Sequence, residues 1–165
     1  MTDTATAVRS ARPVPEGYHS LTPGLIVDNA AQAIEFYKRA FGARELGRMT
    51  APDGQRVWHA ELQIGDSRLM LGDEFPDMGD CRSPKSIGGT ASTVHLYVED
   101  ADAVFQRAVE AGATVTQPLM DAFWGDRYGK VTDPFGHQWG IATRQEEVSE
   151  EEMHRRIQAH SAASA

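Results

Sequence analysis

Two histidines, a tyrosine and a glutamate occur at spacings that would put them in pairs on strand faces. His59 and Glu61 are two positions apart in an alternating stretch, and His95 and Tyr97 are two apart in another. Side chains two residues apart on a strand share a face. Two imidazoles and a carboxylate brought together could bind a divalent metal or act as an acid/base pair. They could equally be hydrogen-bonded cavity residues that orient Glu61 or a ligand, and this second reading is preferred. Tyr97, Trp124 and Tyr128 would then supply flat walls for a planar or aromatic compound. Arg127 carries a guanidinium fork able to grip a ligand carboxylate, with a bridge to Asp121, Asp126 or Asp133 as the structural alternative. Trp58 and Trp139 are expected in the core.

The elements that must position these residues recur. Leu25-Ile26-Val27-Asp28-Asn29 leads into a helical pattern ending Phe41-Gly42-Ala43, and about 71 residues later Leu96-Tyr97-Val98-Glu99-Asp100 leads into one ending Ala111-Gly112-Ala113. Asn29 and Asp100 are N-cap candidates, and Gly42 and Gly112 are C-terminal stops. Each helix is preceded by a strand (near 18–27 and 93–98) and followed by three. In the first unit these lie near 45–50, 56–64 and 68–72, and in the second near 114–117, 128–132 and 138–143. The expected fold is α+β, with two tandem βαβββ modules forming a curved mixed sheet around a central cavity. The boundaries are a flexible lead-in over 1–17 and one domain over 18–145, comprising module one at 18–75, a Gly/Pro/Ser-rich linker at 76–91 and module two at 92–145. A C-terminal helix and tail follow at 146–165, opened by Ser149 and three glutamates at capping-box spacing.

Composition narrows the function classes. A chain of 165 residues, 41% apolar and 24% charged, has the make-up of an ordinary globular protein. A net charge of -8 without a Lys/Arg cluster argues against nucleic-acid binding, though not against a cationic ligand. The single cysteine, Cys81, rules out an internal disulfide and suits a reducing cytoplasm. No long apolar run suggests a membrane span, and a membrane partner is not expected.

Several runs carry a family resemblance. Phe36-Tyr37, Phe41-Gly42-Ala43, Leu69-Met70-Leu71-Gly72-Asp73-Glu74, Phe123-Trp124-Gly125-Asp126-Arg127-Tyr128-Gly129 and Asp133-Pro134-Phe135-Gly136-His137-Gln138-Trp139 together resemble the vicinal oxygen chelate superfamily. This superfamily contains glyoxalase I, extradiol dioxygenases and bleomycin-resistance proteins, and the similarity is greatest to its PhnB-like branch. Some members of that branch carry a ubiquinone-pathway methyltransferase label. No strand here leads into a Gly-rich loop and helix that would cradle a nucleoside cofactor, so methyl transfer is not expected.

The resemblance implies metal ligands, His and Glu, on the first and last strands of each module. Counted onto this chain, those positions fall on Thr22, Met70, Thr93 and Gly140. None supplies the imidazole or carboxylate expected there. The expectation is therefore a small-molecule-binding protein of the glyoxalase/bleomycin-resistance type that lacks the usual metal and takes a planar or hydrophobic ligand. Its ligand-binding residues would be His59, Glu61, His95, Tyr97, Trp124, Arg127 and Tyr128. The resemblance also implies a homodimer. The alternative is a metal-dependent isomerase, lyase or dioxygenase with a divalent metal on His59, Glu61 and His95. A third reading, a docking module using the linker loop or the C-terminal helix, has little sequence support.

Overall fold

The computed structural model describes residues 11–79 and 81–163, so 1–10 of the expected lead-in and 164–165 of the tail lie outside the described residues. The fold is α+β. Module one runs β1 (Gly24–Val27), α1 (Ala30–Phe41), β2 (Arg44–Thr50), β3 (Val57–Ile64) and β4 (Ser67–Asp73). A 3-10 turn (Pro76–Met78) and a four-residue helix, α2 (Pro84–Ile87), lie in the linker. Module two runs β5 (Thr93–Tyr97), α3 (Ala101–Ala111), β6 (Thr114–Asp121), β7 (Asp126–Thr132) and β8 (Gln138–Arg144), and α4 (Glu150–Ala163) follows.

Each module is one four-stranded mixed sheet, ordered β1-β4-β3-β2 and β5-β8-β7-β6. The parallel pair carries the repeat into three dimensions, since Gly24 faces Met70 in β1/β4 as His95 faces Gly140 in β5/β8. The expected helix ends hold. Asn29 Oδ1 accepts from Gln32 N and Asp100 Oδ1 from Ala103 N, and Gly42 and Gly112 take positive φ at the C-caps. A second device also repeats. Asp73, ending β4, accepts from Ala30 N at 2.7 Å and Val57 N at 2.6 Å. In module two Thr143 of β8 accepts from Ala101 N at 2.8 Å and donates to Val98 O at 2.8 Å. The last strand of each module thereby holds the first turn of its helix.

Apolar faces of α1 and α3 pack on their sheets and on each other, joining both modules in one core. Asp133 is the polar hub of that junction. Its carboxylate accepts from Tyr37 Oη (2.7 Å), Trp139 Nε1 (2.9 Å), Phe135 N (2.9 Å) and His137 N (2.9 Å). Burial, then the neighbouring Asp133 charge, raises the Tyr37 phenol well above its ordinary pKa. The Asp-Pro-Phe-Gly-His run is thus both a turn and a bracket between modules, and His137 extends it through Nε2, 2.9 Å from Ile26 O.

Three expectations need correction. β1 begins at Gly24 rather than near Tyr18, because Pro23 offers no N–H to a ladder and 18–23 runs as an irregular arm. β6 extends to Asp121 through Pro118, with the ladder irregular between Gln117 and Met120; as the edge strand it tolerates the missing donor. Trp58 is 44% exposed instead of in the core. The β2/β3 register slips between Met49 and Thr50, so Val57 takes the inward position and alternation resumes at Ala60, Leu62 and Ile64.

Candidate functional site

Alternation along β5, β7 and β8 sets one group of side chains on the sheet face away from α3. His95 and Tyr97 come from β5, Tyr128 from β7 and Gly140 from β8. The His95 and Tyr128 rings stack, with centroids 5.7 Å apart and planes 10° from parallel. Tyr97 meets His95 at 4.6 Å, and Trp124, in the turn before β7, meets Tyr128 edge-on at 5.4 Å. Four of the expected ligand-binding residues therefore form one aromatic shelf, with Tyr97 62% exposed at its margin.

The shelf depends on Gly140. A Cβ there would lie 3.1 Å from His95 Nδ1 and 3.1 Å from Tyr128 Cε2, so the missing side chain leaves room for the stacked rings. Asp126, buried at the β7 end of the shelf, accepts from Tyr97 Oη and Trp124 Nε1, both at 3.0 Å on Oδ2. That hydrogen bond to the carboxylate, followed by burial, raises the Tyr97 phenol above its ordinary pKa, and burial raises Tyr128. In the sequence Asp126 figured only as a partner for Arg127. Its parity with Tyr128 along β7 was the signal that puts it on this face.

Arg127 points the other way. One residue out of phase with Tyr128, it reaches the α3 side, where Asp102 grips it at 3.0 and 2.8 Å and Asp121 lies at 3.3 Å. The structural bridge, one of the alternatives weighed for it, is the arrangement present, and Arg127 does not join the shelf.

His59 and Glu61 do share a face, with Nε2 3.4 Å from Oε1, but on module one. They belong to a second group with Tyr18 and Arg68. The Tyr18 hydroxyl is buried beside the Glu61 carboxylate, short of a well-formed hydrogen bond. Tyr18, then His59, holds the Glu61 carboxyl below its usual range. Arg68 fixes the arm that delivers Tyr18, donating to Gly17 O at 3.3 Å and standing 5.5 Å over the Tyr18 ring. Glu74, just beyond β4, accepts from Ser83 N (2.7 Å) and Ser86 Oγ (2.8 Å), anchoring the linker.

Among the described residues, no three His, Cys, Asp or Glu side chains are grouped to hold a metal ion. The positions implied by the resemblance do not fit one either: Met70 and Gly140 lie on the ladder positions facing Gly24 and His95, and at Gly140 the rings fill the space a carboxylate stem would need. His59, Glu61 and His95 are not brought together.

Between the modules lies a cleft of about 1080 Å³. Its walls include Phe41, Leu69, Val94, Leu96 and Trp139, and because β5 is an edge strand, His95 and Tyr97 line it too. The shelf thus opens onto a recess whose walls mix apolar side chains with charged ones, among them Asp66, Arg68, Glu99, Arg107 and Arg144. At the far end Phe123 meets Trp124 edge-on at 5.1 Å and the α4 residue His160 at 5.3 Å. No described helix is long and apolar enough to cross a membrane.

Comparison with known proteins places this geometry among relatives. The sequence model of the Glyoxalase/Bleomycin resistance protein/Dioxygenase superfamily matches residues 18–141. An uncharacterized protein of Mycobacterium tuberculosis (strain H37Rv) is 52% identical over 136 residues, 81% of this chain and 79% of that one. Among solved structures, TioX from Micromonospora sp. ML1 is 32% identical, with a TM-score of 0.61 over 75% of this chain and 97% of its own. A PhnB protein from Bacillus cereus, 16% identical with a TM-score of 0.59 over 76% of this chain and 99% of its own, shares the fold.

Proposed function

Because the chain belongs to the Glyoxalase/Bleomycin resistance protein/Dioxygenase superfamily, we propose that it is a small-molecule-binding protein that takes a planar or hydrophobic ligand on the module-two shelf, without the superfamily's usual metal centre. The observation that supports this reading best is at Gly140. Where the resemblance expects a ligating glutamate, the His95 and Tyr128 rings approach to within 3.1 Å of where a Cβ would stand. A face made this way offers stacking surface in place of coordination. A planar compound lying on Tyr128 and His95 would have Trp124 edge-on at one side and the cleft between the modules at the other.

Binding by this route requires neither turnover nor a cofactor, and holding a compound out of solution is itself a function. A homodimer belongs to the same proposal, since the shelf is open in one chain and a second copy would cover it.

The test is a ligand screen by thermal shift, which detects binding to the native state, repeated on Gly140→Leu. Wild type is expected to be stabilised by planar aromatic compounds, and the leucine variant, whose side chain must push His95 and Tyr128 apart, to lose that response while remaining folded. An unchanged response would place the ligand elsewhere. Separately, the purified protein is loaded with nickel, zinc, manganese or ferrous iron and its metal content measured after dialysis. Stoichiometric retention that His59→Ala or His95→Ala abolishes would restore the metal-dependent isomerase, lyase or dioxygenase reading.

A further inference from the structure

The two modules carry the same row of ladder positions across their sheets, but with opposite charge at one place. In module one the row is Gly24, Met70 and Glu61, and in module two it is His95, Gly140 and Lys130. Their strand neighbours Ala60, Leu62 and Val131 lie in the core, so alternation sends Glu61 and Lys130 to the faces away from the helices. On module one the chain supplies its own occupant. The arm before β1 lays Tyr18 on this face, with its hydroxyl buried beside the Glu61 carboxylate and the Arg68 guanidinium 5.5 Å over its ring. An O–H donor stands there at an acceptor. Counting back from His95 as Tyr18 stands back from Gly24 reaches Gly89, so module two has no aromatic residue of its own at that place.

Resting on the binding reading above, we propose that the shelf takes a planar aromatic ligand bearing an anionic oxygen, a carboxylate or phenolate, which accepts from the Lys130 ammonium while the ring system lies on Tyr128 and His95. Lys130 follows Tyr128 on the same face of β7, roughly 7 Å along the strand at the usual rise, a span that a four-carbon stem covers. It is partly buried, and among the described residues no carboxylate comes within 4.0 Å of its ammonium. The other lysines are paired, Lys38 with Glu35 and Glu45 and Lys85 with Asp28. Among the strand residues of module two, Asp126 is the one acid on this face. It lies at the opposite end, roughly 13 Å from Lys130 by strand rise, where Tyr97 and Trp124 donate to it and Arg144 faces it across the ladder. The net charge of -8 repels an anion at long range, but salt screens that field beyond about 8 Å, whereas a charge-assisted hydrogen bond acts in contact.

The experiment compares three tricyclic probes at pH 7.5 and about 0.15 M salt: acridine-9-carboxylate, an anion; acridine-9-carboxamide, its neutral isostere; and 9-aminoacridine, a cation. Affinities come from equilibrium dialysis. Wild type is expected to hold the carboxylate roughly fivefold or more tighter than the carboxamide, and the cation weakest. Lys130→Gln should bring the carboxylate down to the level of the carboxamide and change the carboxamide less than about twofold, while Lys130→Arg should keep the preference. Arg39→Gln, an equal change of net charge at an exposed position of α1, should leave all three unchanged. Failure of every probe to bind would overturn the binding reading itself. Equal binding of carboxylate and carboxamide, a preference for the cation, or indifference to Lys130→Gln would overturn the charge assignment and leave the binding reading standing. So would a loss of self-association in Lys130→Gln, measured by sedimentation velocity without probe, since the lysine would then belong to an interface between copies. If Lys130→Gln does not fold, the carboxylate-to-carboxamide ratio in wild type and in Lys130→Arg still decides.

Discussion

The residues picked out by spacing divide into three environments, and each makes a different demand on its side chains. On module one, Glu61 is held as a carboxylate by Tyr18 and His59, which depresses its pKa. A depressed carboxyl stabilises the fold above its unfolded value, about 4.3, and that contribution is lost as pH falls through the folded value. Tyr18→Phe should therefore move the Glu61 titration upward towards the ordinary range, as carboxyl NMR would record. The stability difference between wild type and variant should be largest at neutral pH and shrink on acidification; a difference that grows in acid would contradict the Tyr18–Glu61 contact. Arg127 makes the opposite kind of prediction. With its fork spent on Asp102 and Asp121 on the α3 side, Arg127→Ala should leave planar-ligand affinity within about twofold, whereas Tyr128→Ala should weaken it by tenfold or more. Comparable losses in both variants would mean that Arg127 reaches the ligand after all.

At the scale of elements, polar side chains at strand ends and turns do the positioning. Asp133 joins α1 to β8 through four donors, two of them the buried Tyr37 hydroxyl and Trp139 indole N–H. Asp133→Ala strands all four, and each buried unsatisfied group costs about 1–3 kcal/mol. A loss of more than about 3 kcal/mol in urea denaturation is expected. Thr143→Val removes the acceptor at the first turn of α3 and should cost about 1 kcal/mol, in the range of a lost helix cap. A reversed order would deny Asp133 its place as the junction's hub. Bulges matter at this scale as well, since the slip in β2/β3 turns Trp58 outward and gives its core position to Val57.

For the whole molecule, the two sheets share a core through α1 and α3 and no ladder joins them among the described residues; the edge strand β1 meets His137 through Ile26 O, while the edge strand β5 lies open along the cleft. A shelf with Tyr97 62% exposed is a large aromatic surface to leave in water. Sedimentation velocity should accordingly find two copies per particle at micromolar concentration, with Tyr97→Asp shifting the distribution towards one. A particle of one chain at every concentration would remove the homodimer from the proposed function.

Periodicity and punctuation in the sequence determined the two βαβββ modules, their helix caps and the shared face of His59 with Glu61, because these depend on local backbone preference and on the two-residue period of strands. Counting from the repeat likewise showed that Thr22, Met70, Thr93 and Gly140 stand where the resemblance expects ligands. Tertiary structure decided what no local rule reaches. It put Arg127 on α3 and Tyr128 on the shelf, separated His59 and Glu61 from His95, and turned Gly140 from a missing ligand into the space that lets two rings stack. It also gave Asp126 its two donors. The physical reason is that strand alternation specifies which residues share a face within one sheet, while which faces meet, and whether a bulge shifts the phase, depends on packing between elements far apart in the chain.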